Sequence, residues 1–478
     1  MNALLGAAIS DNNVDAVVLI GSGRTFVAGA DITEFVRTGT GPFLPPVLTL
    51  MENSPKPVIA AMHGNALGGG LEIAMAAHYR IGTPDLQVGQ PEVNLGIIPG
   101  AQGTQRLPRL VGMAKAVEMC VSGAPIKVAE AVQVGLVDRI AAGDLEASAI
   151  GFALEAASNG GPHPKTSQRS DKLGSPAENA AIFAVGRETA RRIRRNQTAP
   201  LKAIEALEAA ATLPFAEGCA RESELFAECM AGKQSKALMH AFLGERLVAK
   251  VPGLPDDIAV QPIARAAVIG AGTMGGSIAM AFANAGIPVR MRDTEQAALD
   301  RGMATIRRNY DTSVKRGRFA PQVVEERLAL IQPQLNTEGF DEADIIIEAV
   351  FENMSLKQDI FAGIDAVAKP SCVLATNTST LSIDKIASAT GRPQMVVGLH
   401  FFSPANVMRL VEICAGLGHE RRCAGHIARA HEEAEESGRD GGKLSRLRGE
   451  PHDVLLHAGS AVPRGRRRDA VSSGPGAL

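Results

Sequence analysis

Short, continuously apolar runs alternate with longer stretches of helical periodicity along most of the chain. Such runs, with no polar residue at every second position, are typical of parallel strands covered on both faces. Helical stretches between them predict strand–helix–strand units, and hence a protein of the α/β class. The predicted strands are residues 16–20, 56–62, 266–269, 344–348 and 373–377.

The length of 478 residues exceeds what one hydrophobic core supports and suggests about three domains. From about residue 145 the pattern is helical, and the proline-containing stretch 252–262 is typical of a linker. We therefore predict a first domain over 1–145, a helical extension and linker over 146–262, and a second domain over 263–413.

Residues 414–478 differ from the rest of the chain. No aromatic residue follows Phe402, and five of the ten histidines lie between 419 and 457 with no regular spacing. Arginine and glycine accumulate without a helical or strand period, so this tail lacks the apolar surface that would offset the entropy of ordering it. We expect residues 414–478 to be disordered.

Charge and composition exclude several kinds of partner. With 49 basic and 51 acidic side chains, the net charge of −2 favours neither nucleic acid nor a membrane surface. No apolar run is long enough to span a bilayer, and the six cysteines lack metal-ligand spacing, so no metal site is predicted. The alanine- and arginine-rich composition favours a bacterial cytoplasm.

A glycine motif follows the predicted strand 266–269. In Gly270-Ala-Gly272-Thr273-Met274-Gly275 the first glycine makes a tight turn, the second admits a pyrophosphate, and the third allows helix and strand to approach closely. The helix that follows has Thr273 and Met274 in its first turn, and this turn offers free N–H groups to the phosphates.

An acidic residue stands 23 positions after Gly270, at the end of the next predicted strand. Asp293 can accept both ribose hydroxyls of an adenosine and would repel a 2′-phosphate, so the cofactor predicted is NAD rather than NADP. The neighbouring Arg292 weakens that preference.

Glycine and two acids also coincide in the first half of the chain. Gly68-Gly69-Gly70 follows the predicted strand 56–62, and Glu72 and Glu92 come after it. N–H groups at a glycine-rich helix start can stabilise a developing oxyanion, and two carboxyl groups can divide acid and base work. The same residues can equally form a glycine turn with two solvated acids.

Four longer motifs lie in this half of the chain: AGADITEF (28–35), HGNALGGGLEIAMAAHYRI (63–81), GQPEVNLGIIPGAQGTQRLPRLVG (89–112) and AVQVGLVD (131–138). Together they resemble the enoyl-CoA hydratase/isomerase (crotonase) family. The resemblance implies that the N–H groups of Ala30 and Gly69 bind a thioester oxygen. It also implies that Glu72 activates water and that Glu92 exchanges the proton at the α-carbon, which favours hydration over isomerisation.

His400 and Glu412 carry the candidate chemistry of the second half. A histidine held by a carboxylate can remove a proton from a secondary alcohol while hydride leaves to a nicotinamide. A histidine at a strand end can also be merely hydrogen-bonded.

Three motifs around this pair, FENMSLK (351–357), ATNTSTLSI (375–383) and GLHFFSPANVMRLVEI (398–413), resemble the 3-hydroxyacyl-CoA dehydrogenase NAD domain. The resemblance makes His400 the base and Glu412 its orienting partner. It places Ser379 and Glu352 at the substrate and cofactor, and Lys357 near the cofactor phosphates.

The chain has a crotonase-like segment, a helical linker and a dehydrogenase-like segment in that order. This order resembles that of the multifunctional enzymes of fatty-acid oxidation. The resemblance implies acyl-CoA thioester substrates and either a homo-oligomer or a thiolase partner. The family pattern is missing in front of Met1 and after Ile413. We therefore expect a chain shortened at its N-terminus, whose tail results from a shifted reading frame.

We thus predict hydration of trans-2-enoyl-CoA followed by NAD-dependent oxidation, with the second step impaired. One alternative is an isomerase that uses chiefly Glu92 to move the double bond. Another is a non-catalytic remnant that binds acyl-CoA or NAD.

Overall fold

The computed structural model describes residues 1–38, 44–248, 262–316, 320–408, 410–415 and 454–457. The chain forms two compact units, Met1–Leu243 and Gly244–Leu478. The predicted linker lies largely outside the described residues, and so do residues 416–453 and 458–478 of the predicted tail.

The first unit contains two sheets. A parallel sheet has the order β1-β2-β4-β7, and a smaller sheet has the order β3-β5-β6. All five residues of β2 are buried, as its continuous apolar run predicts. The strands are β1 (Val17–Ile20), β2 (Val58–Met62), β3 (Asn65–Leu67), β4 (Tyr79–Gly82), β5 (Gln87–Gly89), β6 (Ile126–Lys127) and β7 (Arg139–Ile140).

Helices surround these sheets. They are α1 (Asn2–Ser10), α2 (Ile32–Thr38), α3 (Pro45–Glu52), α4 (Gly69–Ala76), α5 (Gly103–Val111), α6 (Met113–Ser122), α7 (Val128–Val134), α8 (Leu145–Ser158), α9 (Pro176–Ile193), α10 (Ala199–Thr212), α11 (Phe215–Ala231) and α12 (Lys233–Val248). The start of α9 follows from its sequence, because Ser175 and Glu178 form a capping box around Pro176.

The helical region after residue 145 belongs to the first unit. Helices α9, α10 and α11 pack on α5 and α6. Ile204, Leu207 and Leu225 from these helices share one buried cluster with Leu107 and Leu110 of α5. The extension predicted as a separate segment therefore completes the core of the first unit up to Leu243.

The second unit is built on a sheet of order β10-β9-β8-β11-β12-β13-β14-β15. Pairing is parallel from β10 to β13, antiparallel between β13 and β14, and parallel between β14 and β15. The strands are β8 (Ala266–Ile269), β9 (Val289–Arg292), β10 (Ile331–Gln334), β11 (Ile345–Glu348), β12 (Val373–Thr376), β13 (Val396–Phe401), β14 (Val411–Ala415) and β15 (Val454–His457).

Both faces of this sheet are covered. Alternate residues of β8 point to opposite sides, so that Val268 joins one buried cluster and Ala267 joins the other. The helices are α13 (Thr273–Asn284), α14 (Gln296–Lys315), α15 (Pro321–Leu328), α16 (Met354–Val367) and α17 (Ile383–Ala387). The α/β class is thus confirmed in both units.

The structure contains strand residues beyond residue 413, where we predicted that the second domain ends and a disordered tail begins. Strand β14 continues to Ala415, past the predicted boundary at residue 413, and Val454–His457 within the predicted tail is a strand. Within the described ranges, no helix is both long and apolar enough to cross a bilayer.

Candidate active sites

The glycine run at the start of α4 packs against the loop of residues 27–30. Leu67 donates its N–H to the Val27 carbonyl at 3.0 Å, which aligns the two segments. A Cβ on Gly70 would overlap that carbonyl oxygen, so this close approach requires glycine.

The two predicted oxyanion donors are brought together by this packing. The Ala30 nitrogen lies 4.0 Å from the position that a Cβ on Gly69 would take. Neither N–H donates to a protein acceptor within the described part of the chain. Both amides are therefore available to a ligand oxygen at the start of α4, where the helix dipole favours negative charge.

Glu72 lies in the first turn of α4 and is buried. Its Oε1 accepts the N–H groups of Ala101 at 2.8 Å and Gly103 at 2.9 Å. Burial raises the pKa of Glu72 to about 7, although these hydrogen bonds and the charge of Arg106 act in the opposite direction. A carboxyl group with this pKa can exchange protons near neutrality.

Glu92 begins a short 3-10 helix, Glu92–Leu95, and is partly exposed. Its Oε1 lies 2.8 Å from the position of a Cβ on Gly68, so the carboxyl group adjoins the glycine run. With its amide nitrogen toward Glu92, the buried Gln90 donates to both carboxyl oxygens, at 2.9 and 3.1 Å. Burial and the charges of Glu72 and Glu222 raise the pKa of Glu92 well above its usual value.

A third buried carboxyl group, Glu222 of α11, was missed by the sequence analysis. It accepts the N–H groups of Gln102 at 2.6 Å and Thr104 at 2.9 Å. Burial and the charge of Glu72 raise its pKa to about 8. A sequence signal did exist, because Glu222 interrupts the apolar stripe of α11, whose other buried residues are Gly218, Leu225 and Cys229.

In the second unit the glycine motif has the predicted geometry. Gly270 has φ +104°, and a Cβ on Gly275 would overlap the Gly270 carbonyl oxygen. Gly272 precedes helix α13, and nothing lies within 4 Å of where its Cβ would be. The backbone at Gly272, Thr273 and Met274 is thus open to an approaching pyrophosphate.

Asp293 follows β9 beside this turn. Its Oδ2 accepts the N–H of Ala271 at 2.8 Å, which fixes the carboxylate next to the glycine motif. Arg292 donates to the Leu335 carbonyl at 3.3 Å. The guanidinium therefore has a protein acceptor of its own, and Asp293 suits the ribose hydroxyls of NAD.

His400 and Glu412 lie directly opposite each other on β13 and β14. Nδ1 of His400 is 2.7 Å from Oε2 of Glu412, and Nε2 is 3.1 Å from Oγ of Ser379. The carboxylate accepts a hydrogen bond from Nδ1–H, which leaves Nε2 unprotonated and able to act as a base. Both side chains are about 28–29% exposed and can be reached by a substrate.

Glu352 organises the loop that carries Ser379. Its Oε1 accepts the N–H groups of Ser379 and Thr380 at 3.1 Å and the Thr378 hydroxyl at 2.5 Å. Burial raises the pKa of Glu352, but these hydrogen bonds and the charge of Lys357 outweigh that effect and lower it. Glu352 thus holds Ser379 in place, so a direct contact with substrate or cofactor stays a prediction.

The position of Lys357 corrects the sequence analysis. Its Nζ lies 2.7 and 2.8 Å from the carboxylate oxygens of Glu348, and both side chains have no exposed surface. A contact with cofactor phosphates needs an exposed ammonium group, which Lys357 does not have in this structure. The sequence pattern gave its place on α16 but not its buried partner at the end of β11.

Comparison with protein families separates the same two parts. Residues 1–170 match the family "Enoyl-CoA hydratase/isomerase", and residues 265–439 match "3-hydroxyacyl-CoA dehydrogenase, NAD binding domain". The chain thus contains one segment similar to each of these two families, in this order. The second match continues past Ile413, where the sequence analysis ended the domain.

Curated relatives match most of the chain. A peroxisomal fatty acid beta-oxidation multifunctional protein of Arabidopsis thaliana is 39% identical over 412 residues, 84% of this chain and 57% of the relative. A peroxisomal bifunctional enzyme of Danio rerio is 39% identical over 416 residues, 86% of this chain and 56% of the relative. The chain therefore spans little more than half the length of these relatives.

Among solved structures, the dehydrogenase part of multifunctional enzyme 1 from C. elegans is 28% identical. The match covers 45% of this chain and 48% of that chain, with a TM-score of 0.37.

The relatives overturn the prediction of a bacterial cytoplasmic location. They are eukaryotic proteins that are named peroxisomal. The prediction was wrong because alanine and arginine content has no physical link to a compartment.

Among the described residues, no group of three or more His, Cys, Asp or Glu could hold a metal ion.

Proposed function

We propose that the first unit hydrates trans-2-enoyl-CoA thioesters to 3-hydroxyacyl-CoA. The observation that supports this most is the meeting of two carboxyl groups of raised pKa with two available N–H groups at the start of α4. The N–H groups of Ala30 and Gly69 would bind the thioester oxygen, on which negative charge grows during the reaction.

The two carboxyl groups would divide the proton transfers. Ionised Glu72 would take a proton from water as its oxygen bonds to C3, and protonated Glu92 would give a proton to C2. The pKa of Glu92 is raised in part by the charge of Glu72, which favours one ionised and one protonated carboxyl group near neutral pH. Water is thereby added across the double bond with no net change in charge.

For the second unit we propose oxidation of the 3-hydroxyacyl-CoA product. Bound NAD supplies the acceptor of the hydride from C3. His400 would take the hydroxyl proton at Nε2, while Glu412 holds Nδ1 and stabilises the imidazolium that forms. The Ser379 hydroxyl, 3.1 Å from Nε2, is placed to hydrogen-bond the same substrate oxygen. Oligomerisation and a thiolase partner stay predictions from the family resemblance.

The test is the loss of enoyl-thioester absorbance when crotonyl-CoA is added to the purified chain, followed by NAD and detection of NADH. We expect hydration. The prediction of a weak second step is tested in the same cuvette, since rapid NADH formation would contradict it. A protein that unfolds cooperatively but turns over neither substrate would favour the binding remnant instead.

An isomerase would need chiefly Glu92, so Glu72→Ala separates the two activities. Under our proposal hydration collapses in this variant because no group activates water. Retention of hydration by Glu72→Ala would sink the assignment, and retention of double-bond migration alone would favour the isomerase.

A further inference from the structure

Residues 101–104 are held from two sides by two carboxyl groups of the first unit. Glu72 accepts the N–H groups of Ala101 and Gly103. Glu222 accepts the intervening N–H groups of Gln102 and Thr104. Successive amides of this segment therefore alternate between Glu72 and Glu222.

The segment needs such support. Gln102 has φ +70°, a left-handed conformation that non-glycine residues seldom adopt and that surrounding contacts must maintain. The hydrogen bond from its N–H to Oε1 of Glu222 has an N–O distance of 2.6 Å. The Thr104 hydroxyl adds a third hydrogen bond to Glu222, at 2.5 Å. The backbone conformation that offers two donors to Glu72 is thus stabilised by the other carboxyl group.

Glu222 is itself fixed within the fold. Helix α11 approaches α5 so closely that a Cβ on Gly218 would overlap the side-chain oxygen of Gln105. Gln105 donates to the Thr104 hydroxyl at 2.9 Å and to the Ala206 carbonyl at 2.9 Å. The carboxyl group of Glu222 is buried, so its position is set by packing.

We propose that Glu222 is a positioning residue of the hydration site, which fixes the direction of Glu72 through residues 101–104 and, where it is ionised, adds a negative charge beside Glu72 and Glu92. This inference rests on the proposed hydration. It makes helix α11 of the helical extension part of the hydration site.

The electrostatic surroundings agree with this role. The charge of Glu222 contributes to the raised pKa of Glu92, and the charge of Glu72 contributes to that of Glu222. Burial and the charges of nearby carboxylates, Glu222 among them, raise the pKa values of the Cys120 and Cys219 thiols. The charge of Arg106 lowers the pKa of Glu72.

The test compares Glu222→Gln with Leu225→Ala in the full chain. Leu225 is fully buried one turn further along α11, so its truncation weakens the packing of the same helix without touching the carboxyl groups. For Glu222→Gln we expect kcat for crotonyl-CoA hydration to fall roughly tenfold to a hundredfold, with little change in KM. We also expect the high-pH limb of its pH profile to move to lower pH, because the negative charge that Glu222 carries above about pH 8 no longer holds the proton on Glu92.

Leu225→Ala should lower the thermal midpoint without moving the pH profile. If Glu222→Gln instead behaves like Leu225→Ala, with lower stability and an unmoved profile, Glu222 is only a structural residue and the inference fails.

Amide hydrogen exchange tests the inference even if the wild-type chain does not hydrate crotonyl-CoA, an outcome that would defeat only the proposed function. In Glu222→Gln, exchange should accelerate at Ala101 and Gly103 as well as at Gln102 and Thr104. Acceleration confined to Gln102 and Thr104 would mean that Glu222 does not position the donors of Glu72.

Discussion

Gly275 packs so closely against the carbonyl oxygen of Gly270 that no side chain fits between them. We therefore expect Gly275→Ala to destabilise the second unit by about 1–3 kcal/mol or more and to abolish NAD binding. Gly272→Ala is the matched control, because its Cβ meets open space in the protein.

The free energy of unfolding of Gly272→Ala should lie within about 0.5 kcal/mol of the wild-type value. The variant should nevertheless bind NAD roughly tenfold more weakly, since the methyl group enters the space assigned to the pyrophosphate. Thermal unfolding and titration calorimetry with NAD measure both effects. Unchanged NAD affinity in Gly272→Ala would show that the pyrophosphate binds elsewhere.

The rate of hydration should depend on pH through Glu72 and Glu92. Glu72, with a pKa of about 7, must be ionised to activate water, so kcat/KM should rise as pH increases through about 7. At higher pH it should fall as Glu92 loses the proton that it donates. Glu224→Gln removes an exposed carboxylate of α11 and should leave this profile in place. A rate that is flat across neutral pH would contradict both assignments.

The stability of the first unit should also depend on pH. Glu72 and Glu222 have pKa values raised from 4.5 to about 7 and about 8, so the folded state binds more protons and loses stability as pH rises through this range. The buried His78, whose pKa is lowered from 6.5 to about 4, acts oppositely but only below about pH 6.5. Between pH 6.5 and 8 we expect a decrease of up to a few kcal/mol.

Urea unfolding followed by the fluorescence of Tyr79 measures this decrease. A Tyr310→Phe background removes the signal of the second unit, since the chain has two tyrosines. Glu72→Gln should flatten the dependence. A first unit whose stability does not fall between pH 6.5 and 8 would show that Glu72 and Glu222 are ionised as readily as in the unfolded chain.

The buried pair of Lys357 and Glu348 gives a further prediction. Lys357→Met leaves a buried carboxylate without its cation and should destabilise the second unit by about 3–5 kcal/mol. The double variant Glu348→Gln/Lys357→Met removes both charges and should recover most of that loss. Urea unfolding followed at Tyr310 in a Tyr79→Phe background distinguishes them, and a fully stable single variant would mean that the pair is not buried in solution.

Glu352 should control the order of the loop that carries Ser379. Glu352→Ala removes the acceptor of the Ser379 and Thr380 amides, so hydrogen exchange at these two positions should accelerate about tenfold or more. Glu325→Ala removes an exposed carboxylate paired with Arg307 and should leave this exchange unchanged. Equal exchange in wild type and Glu352→Ala would show that other contacts hold the loop.

The sequence predicted the parts of both sites that depend on local pattern. Apolar runs placed the strands, and the glycines marked the turns after them, so that Gly69 begins helix α4 and Gly272 directly precedes helix α13 as expected. His400 and Glu412 lie opposite each other because they stand on two strands that are neighbours both along the chain and in the sheet.

What the sequence analysis missed depends on contacts between distant segments. Glu222 lies 150 residues from Glu72 along the chain. The two carboxyl groups bind the same segment, residues 101–104, only because α11 packs on α5. Glu348 was read as the polar end of an apolar strand, and its ion pair with Lys357 follows from burial that no local spacing reveals. Gln90 was passed over because an amide beside an acid has no distinctive pattern.

The register between β13 and β14 determines whether His400 can work. Side chains alternate between the two faces of a strand, so a shift of one residue would turn Glu412 to the opposite side of the sheet from His400. Insertions in the connection between these strands leave the ladder intact and are therefore compatible with activity. A single deletion inside either strand would separate the two side chains, however small its effect on composition.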